Sequence, residues 1–187
     1  MSDKKPMLLV LAGPNGSGKS TITQYFEKVG TYTNADDVVA TTGMSNEKAA
    51  KFVDDIRYQS IEAKQDLTFE TVLSSKYKLE ILEKAKFEGY FIKCIFVLTV
   101  DPLINVARVE ARVAAGGHGV DRNKIIERYY RSLDNIKVLM DLCDILHVYD
   151  NTEEPVRIIR KHKDDISIYP NVLWSEERIL ELIEETN

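Results

Sequence analysis

Apolar residues recur along the chain in two rhythms, and their alternation predicts the architecture. Short continuous runs occupy 7–12 (Met-Leu-Leu-Val-Leu-Ala) and 90–100, where Ile92, Cys94, Ile95, Phe96, Val97 and Leu98 follow almost without a break. Strands covered on both faces read this way. Longer stretches carry apolar or small residues at the helical spacings of three and four. One covers 46–65, with Ala49, Val53, Ile56, Ser60 and Ala63 on one face; another covers 122–142, with Ile126, Tyr129, Leu133, Ile136 and Met140. In chain order the pattern predicts a strand at 7–12, a helix at 19–28 stopping near Gly30, a short strand at 31–33 and the helix at 46–65. A strand at 67–69 ends in Glu70 and Thr71, and a helix at 75–88 is closed by Gly89. After the strand at 90–100, Asp101 and Pro102 open a helix as cap and first residue. The loop 116–119, the helix 122–142, a strand at 144–149, a strand pair at 156–160 and 166–169, and a helix at 175–185 complete the chain. Alternating strand and helix predicts a three-layer α/β fold, its sheet mostly parallel with helices on both faces, followed by a small C-terminal strand pair and terminal helix. No repeat or linker divides it, so 1–187 reads as one domain with a C-terminal extension from about 153.

Between the first strand and the first helix stands Gly13-Pro14-Asn15-Gly16-Ser17-Gly18-Lys19-Ser20, which fills the pattern G-x-x-x-x-G-K-[ST]. Strand, glycine loop, helix is the context in which this pattern binds phosphate. The glycines let successive backbone N–H groups turn inward on an anion, and the helix start adds its own. Lys19 is expected to reach the β- and γ-phosphates, the Ser20 hydroxyl to take one position on Mg2+, and Thr21 to complete the nucleotide-binding run. The motif makes this a P-loop NTPase fold, with ATP as the expected nucleotide.

In parallel α/β sheets ligands lie beyond the carboxyl ends of the strands. Residues just after each strand therefore face the phosphates: Asp36 and Asp37, Glu70 and Thr71, Asp101, then Asp150 and Asn151. Phosphoryl transfer asks for a carboxylate to orient or deprotonate the acceptor, and Asp36 and Glu70 have the type and the place. Asp37 stands equally as a solvent carboxylate, and Asp101 reads as a helix cap or as a metal carboxylate. Arg108 and Arg112, four apart on one helix face, precede the Gly116-Gly117-His118-Gly119 loop, with Arg122, Arg128 and Arg131 beyond it. A helix–loop–helix of this kind, about 108–128, suits a lid that keeps water from the transferring phosphate; the alternative is a solvated charged face and an ordinary loop histidine.

Composition narrows the partners. A net charge of −5 gives no global basic field for nucleic acid or membrane phosphates, and no apolar run approaches a membrane span. Residues 1–6 read as a polar lead-in, not a signal peptide, and the two cysteines, Cys94 and Cys143, as buried thiols; a cytoplasmic protein is expected.

Several motifs in order carry a family resemblance: LVLAGPNGSGKST, NADD, FETVLSS before a helix, RVEARVAAGGHGV and RYYRSLDNI. Over roughly 7–151 the chain resembles the zeta-toxin family of P-loop kinases, with the tail from Glu153 outside the likeness. The resemblance implies ATP-dependent phosphorylation of a sugar hydroxyl on UDP-N-acetylglucosamine. By position, Asp36 of NADD matches the acceptor-activating base, Glu70 of FET the substrate-site and metal-proximal carboxylate, and Lys19 the phosphate-binding lysine. Arg108 or Arg112 stands for one lid arginine, and His118 or Arg122 lies near the other; with Thr71 these form the substrate side. An antitoxin-like protein partner is a further implication. A nucleotide-driven switch without an acceptor, and a kinase of nucleic-acid ends, are the rival readings; the second lacks a basic stripe in the sequence.

Overall fold

The computed structural model describes residues 4–117 and 119–184. Five strands come first in chain order: β1 (Met7–Ala12), β2 (Thr31–Thr33), β3 (Leu67–Thr71), β4 (Phe91–Leu98) and β5 (Ile145–Asp150). They lie parallel in the spatial order β2-β3-β1-β4-β5. β6 (Val156–His162) and β7 (Asp165–Ile168) then add to the same sheet as antiparallel neighbours. The tail strand pair is thus an extension of the main sheet, and β1 and β4 occupy its middle.

Each central strand is apolar on both faces, as its unbroken sequence requires. Leu8, Val10, Ile92, Cys94, Phe96 and Leu98 belong to the larger core, which also takes in Ile61, Leu82, Ile136, Trp174 and Ile179. These last residues come from α3 (Asn46–Glu62), α4 (Lys76–Phe87), α6 (Arg122–Leu142), the link after β7, and α7 (Glu176–Ile183). Leu9, Leu11, Ile95 and Val97 face the other way, toward Ile22 of α1 (Lys19–Thr23) and the partly buried Phe26. Helices therefore lie on both faces, but unequally. A third cluster, Val106, Val109 and Ile125, joins α5 (Pro102–Ala114) to the start of α6.

Differences from the expected elements concentrate at the ligand end of the sheet. α1 stops at Thr23, shorter than expected, and leads into a turn carrying the exposed Tyr25. A helix that the pattern did not predict, α2 (Ala35–Thr42), follows β2 directly. Asn34 caps it by accepting the Asp36 N–H at 3.0 Å, so Asp36 and Asp37 stand in the first turn of a helix instead of a strand exit. Carboxylates are favoured there by the helix dipole. Glu70 and Thr71 lie within β3, not after it. At the start of α6 it is Ile125 that is buried, while Ile126 packs only partly against α5.

The tail is anchored at Trp174, which is buried in the larger core with the Arg178 guanidinium 4.4 Å from its ring. Arg178 donates to the carbonyls of Val100 (2.8 Å) and Leu173 (3.1 Å), fastening α7 to the exit of β4. Cys94 and Cys143 are free and buried, and burial pushes the Cys94 thiol up. Among the described residues no helix is long and apolar enough to cross a membrane.

Candidate active site at the glycine loop

The loop after β1 is held from behind by two asparagines. Asn105, fully buried on α5, donates to the Asn15 carbonyl at 2.7 Å and accepts the Thr99 hydroxyl. Asn151, just past β5, donates to the Ser17 carbonyl at 2.9 Å. These contacts explain two glycines. Gly16 (φ +77°) would bring a Cβ within 2.4 Å of the Asn105 carbonyl oxygen, and Gly18 (φ +81°) within 2.1 Å of Asn151 Nδ2. Both therefore need the left-handed backbone and the missing side chain. Lys19 Nζ donates to the carbonyls of Gly13 (2.9 Å) and Pro14 (3.4 Å), lying back along its own loop. Ser17 Oγ is buried without a hydrogen-bond partner among the described residues, and Ser20 is exposed at the helix start.

Burial draws the Lys19 ammonium below its usual range; Glu70 and then Asp36 oppose that, and Arg112 adds to it. These four charges share one electrostatic neighbourhood at the loop. Glu70 stands opposite Leu11 in the register of β3 on β1, which brings it to the loop's edge. Its Oε2 accepts the Tyr32 hydroxyl at 3.1 Å, and the same hydroxyl accepts from Asn34 Nδ2 at 3.3 Å. Burial first, then Glu70, push the Tyr32 phenol well above its ordinary range, so it stays protonated and can donate to the carboxylate.

The arginines of α5 and α6 diverge. Arg112 acts on Lys19, and a Cβ at Gly117 would fall 2.7 Å from its Cγ, so helix and loop are in close contact there. Arg108 donates to the Thr152 carbonyl at 2.9 Å, on the exit of β5, and its Nη1 is buried without a hydrogen-bond partner among the described residues. Arg122 pairs with Glu110 at 3.6 Å with both side chains exposed, and Arg131 pairs with Glu127 at 2.6 Å. Arg128 reaches the Asn15 side chain at 3.4 Å. Asp101 is a helix cap, accepting the Leu103 N–H at 2.7 Å, and the Thr71 hydroxyl accepts the Leu73 N–H at 3.1 Å. His118 lies outside the described residues.

Behind the carboxylates is a buried charge network that the sequence did not disclose. Arg57 of α3 is 1% exposed. It pairs with Asp54 at 2.8 Å, donates to Thr33 Oγ1 (2.9 Å) and to the carbonyls of Thr33 (3.3 Å) and Glu70 (3.2 Å), and lies 4.3 Å from the Phe69 ring. Lys78 of α4 closes on Asp54 at 2.6 Å. One guanidinium thus ties the end of β2, which leads directly into Asn34, to the end of β3, which carries Glu70. Truncating it leaves two carbonyls and a hydroxyl without their donor and Asp54 with Lys78 alone. Arg57→Ala should lose about 3–5 kcal/mol of stability, the usual cost of breaking a buried pair. Urea unfolding measures this, and a loss under about 1 kcal/mol would remove the network from the account.

A pocket of about 240 Å³ opens beside this assembly, lined by Tyr32, Asn34, Asp37, Val38, Thr41 and Phe52 among others. It shares Tyr32 with the Glu70 side of the site. For magnesium, the exposed Ser20 hydroxyl is the available donor on the loop, and no group of three His, Cys, Asp or Glu among the described residues is placed to hold an ion. That donor set fits a cation taking most of its ligands from substrate phosphates and water.

The family model for the zeta toxin matches residues 31–171, well over half of the chain. The match begins just after the glycine loop and includes β6 and β7, which had been expected to lie outside the likeness. An uncharacterized protein of Haemophilus influenzae is 28% identical over 125 residues, covering 63% of this chain and 88% of that protein. Among solved structures, a chain of the AvrRxo1-ORF1:AvrRxo1-ORF2 complex with sulphate ions is similar at a TM-score of 0.68 and 15% identity, over 96% of this chain and 64% of that one. The same pair with ATP gives a TM-score of 0.62 at 15% identity, over 89% and 61%. This chain therefore spans less than two thirds of those two AvrRxo1 chains. A chain of the PezAT chromosomal toxin–antitoxin system of Streptococcus pneumoniae gives a TM-score of 0.61 at 15% identity, over 98% and 80%. At these identities the structural likeness shows the fold, while the match to the family model carries the assignment: this chain belongs to the zeta-toxin family of P-loop kinases.

Proposed function

We propose that the protein is an ATP-dependent phosphotransferase that phosphorylates a hydroxyl of a small molecule, with UDP-N-acetylglucosamine as the acceptor the family implies. The observation that carries this reading is that Glu70, Asp36 and Arg112 all act on the Lys19 ammonium at the glycine loop, with Glu70 brought to the loop's edge by strand register. A switch protein needs the loop, its lysine and a metal carboxylate, but no carboxylate beside an acceptor pocket. An acceptor kinase needs both carboxylates: one takes the hydroxyl proton, the other stands near the metal and the acceptor. In this reading ATP with Mg2+ supplies the phosphoryl group. The loop from Gly13 to Thr21 cradles it, Lys19 exchanges its loop carbonyls for phosphate oxygens, and Ser20 meets the metal. Asp36 is the base, and Glu70, held by Tyr32 and Arg57, is the second carboxylate. Arg112 is the lid arginine on the transferring group, and Arg108, fixed to the β5 exit, sits on the nucleotide side.

The pocket between α2 and α3 is the acceptor's seat, with Asp37 and Thr41 as polar contacts and Tyr32, Val38 and Phe52 as its walls. α2 buries no residue of its own, so filling the pocket from that side should spare the fold. Val38→Trp should raise the acceptor KM roughly tenfold or more, the scale of a misfit in a binding pocket, and leave the KM for ATP unchanged. Steady-state kinetics in both substrates test it, and an unaltered acceptor KM would place the acceptor elsewhere. The PezAT structure is that of a toxin–antitoxin system, which supports an antitoxin-like partner for this chain too. A cytoplasmic protein fits both nucleotide substrates.

A further inference from the structure

The helices cover the sheet unevenly. The larger core lies under α3, α4, α6 and α7, whereas the opposite face is packed by α1 and the turn after it over β1 and β4. What stands on that face beyond β4 follows from strand register. His147 lies opposite Arg160, Ile145 opposite His162, and Tyr149 opposite Arg157. Opposed residues of an antiparallel pair share a face. In the parallel pairing Ile95, which packs toward α1, lies beside His147, and Lys93, two residues earlier, shares its side. Lys93, His147, Arg157, Arg160 and His162 therefore form one row across three adjacent strands.

The row is a single electrostatic unit. Burial first, and then Arg157, Lys93, Arg160 and His162, hold the His147 imidazole down to about 4. Compensation is thin: Asp165 pairs with Arg160 at 2.8 Å, and no ion pair forms at Lys93 or Arg157 among the described residues. Those two cations lie instead near aromatic rings, Lys93 at 5.3 Å from Phe26 and Arg157 at 5.4 Å from Tyr169. His147 Nδ1 and Arg157 Nε are buried without hydrogen-bond partners among the described residues. In a chain of net charge −5, positive charge has been gathered onto one side.

We propose that this face binds single-stranded nucleic acid, its phosphates along Lys93, His147, Arg157 and Arg160 and its bases against Phe26, Tyr149 and Tyr169. A small anion would want a concave seat, and the pocket of about 240 Å³ described above lies elsewhere, between α2 and α3. Three strands at about 4.8 Å spacing give a row of roughly 10 Å, longer than one phosphate needs. Aromatic rings set among the cations favour a strand with bases over an acidic peptide.

The test uses the intact protein and a fluorescent dT12 strand, read by anisotropy across a salt series. Phosphates neutralised by the three full cations, Lys93, Arg157 and Arg160, predict a log–log salt slope of about −2, and Lys93→Gln with Arg157→Gln should flatten it by about 1.4 and weaken binding at least tenfold. Lys19→Ala should bind the strand as the wild type does. In the wild type, the His147 imidazole followed by NMR should titrate above its free value of about 4 once the strand is bound, because anions favour its protonated form. No binding at low salt would overturn the proposal, as would an equal loss in Lys19→Ala, which would locate the strand at the glycine loop. Displacement by pyrophosphate or poly-glutamate at matched charge would overturn it in favour of a small anion or an acidic peptide.

Discussion

Lys19→Ala should lower turnover by about 10²–10³-fold or more, the scale on which a preorganised donor to the transition-state charge acts. The lysine holds two loop carbonyls in the structure, Gly13 and Pro14; on the proposed reading it gives them up for phosphate oxygens when nucleotide binds. Its ammonium is already drawn below its ordinary range by burial, with Glu70 and Asp36 opposing. Phosphate adds negative charge beside it, so the charged form gains on binding. The fold should survive the change, because the loop is also pinned by Asn105 and Asn151. Single-turnover kinetics together with circular dichroism separate the two effects. A folded variant with near wild-type transfer would end the phosphate-loop reading.

Much of this site was legible in the sequence because it is local. The glycine loop declares itself by eight contiguous residues between a strand and a helix, and the Asp101–Pro102 cap by two. α2 was missed because it has no amphipathic stripe: none of its residues is buried, and its signal is the Asn34 cap with acids in the first turn. Arg57 was missed for the opposite reason. A single arginine in an amphipathic helix reads as solvent-facing, and its partners at Thr33, Asp54 and Glu70 come from two strands and its own helix. Asn105 left a faint trace, a polar residue beside Val106 and Val109 on the inner face of α5. Arg108 and Arg112 share a helix face, yet one is tied to Thr152 and the other acts at Lys19, a divergence that spacing alone does not contain. The basic row is the extreme case. Its members at 93, 147, 157, 160 and 162 are scattered along an acidic chain, and register alone assembles them.

Asp36→Asn carries the second large effect. Acceptor phosphorylation should fall by roughly 10²–10⁴-fold, the span of a general base. Asp36 is exposed in the first turn of α2, with its backbone capped by Asn34, so the substitution removes a charge without disturbing the cap. Nucleotide binding rests on the Gly13–Ser20 loop and should change little. If binding of Mg-ATP weakened severely instead, Asp36 would be the carboxylate near the metal, and Glu70, hydrogen-bonded to Tyr32, would be the base.

The most direct measurement is product analysis. Wild type and Asp36→Asn are incubated with ATP, magnesium and a panel of UDP-sugars that includes UDP-N-acetylglucosamine, and the products are read by phosphorus NMR and mass spectrometry. The account predicts ADP and a new sugar phosphomonoester in equal amounts with the wild type, and neither above background with Asp36→Asn. Formation of ADP and inorganic phosphate alone, at the same rate in both proteins and with every acceptor, would contradict it.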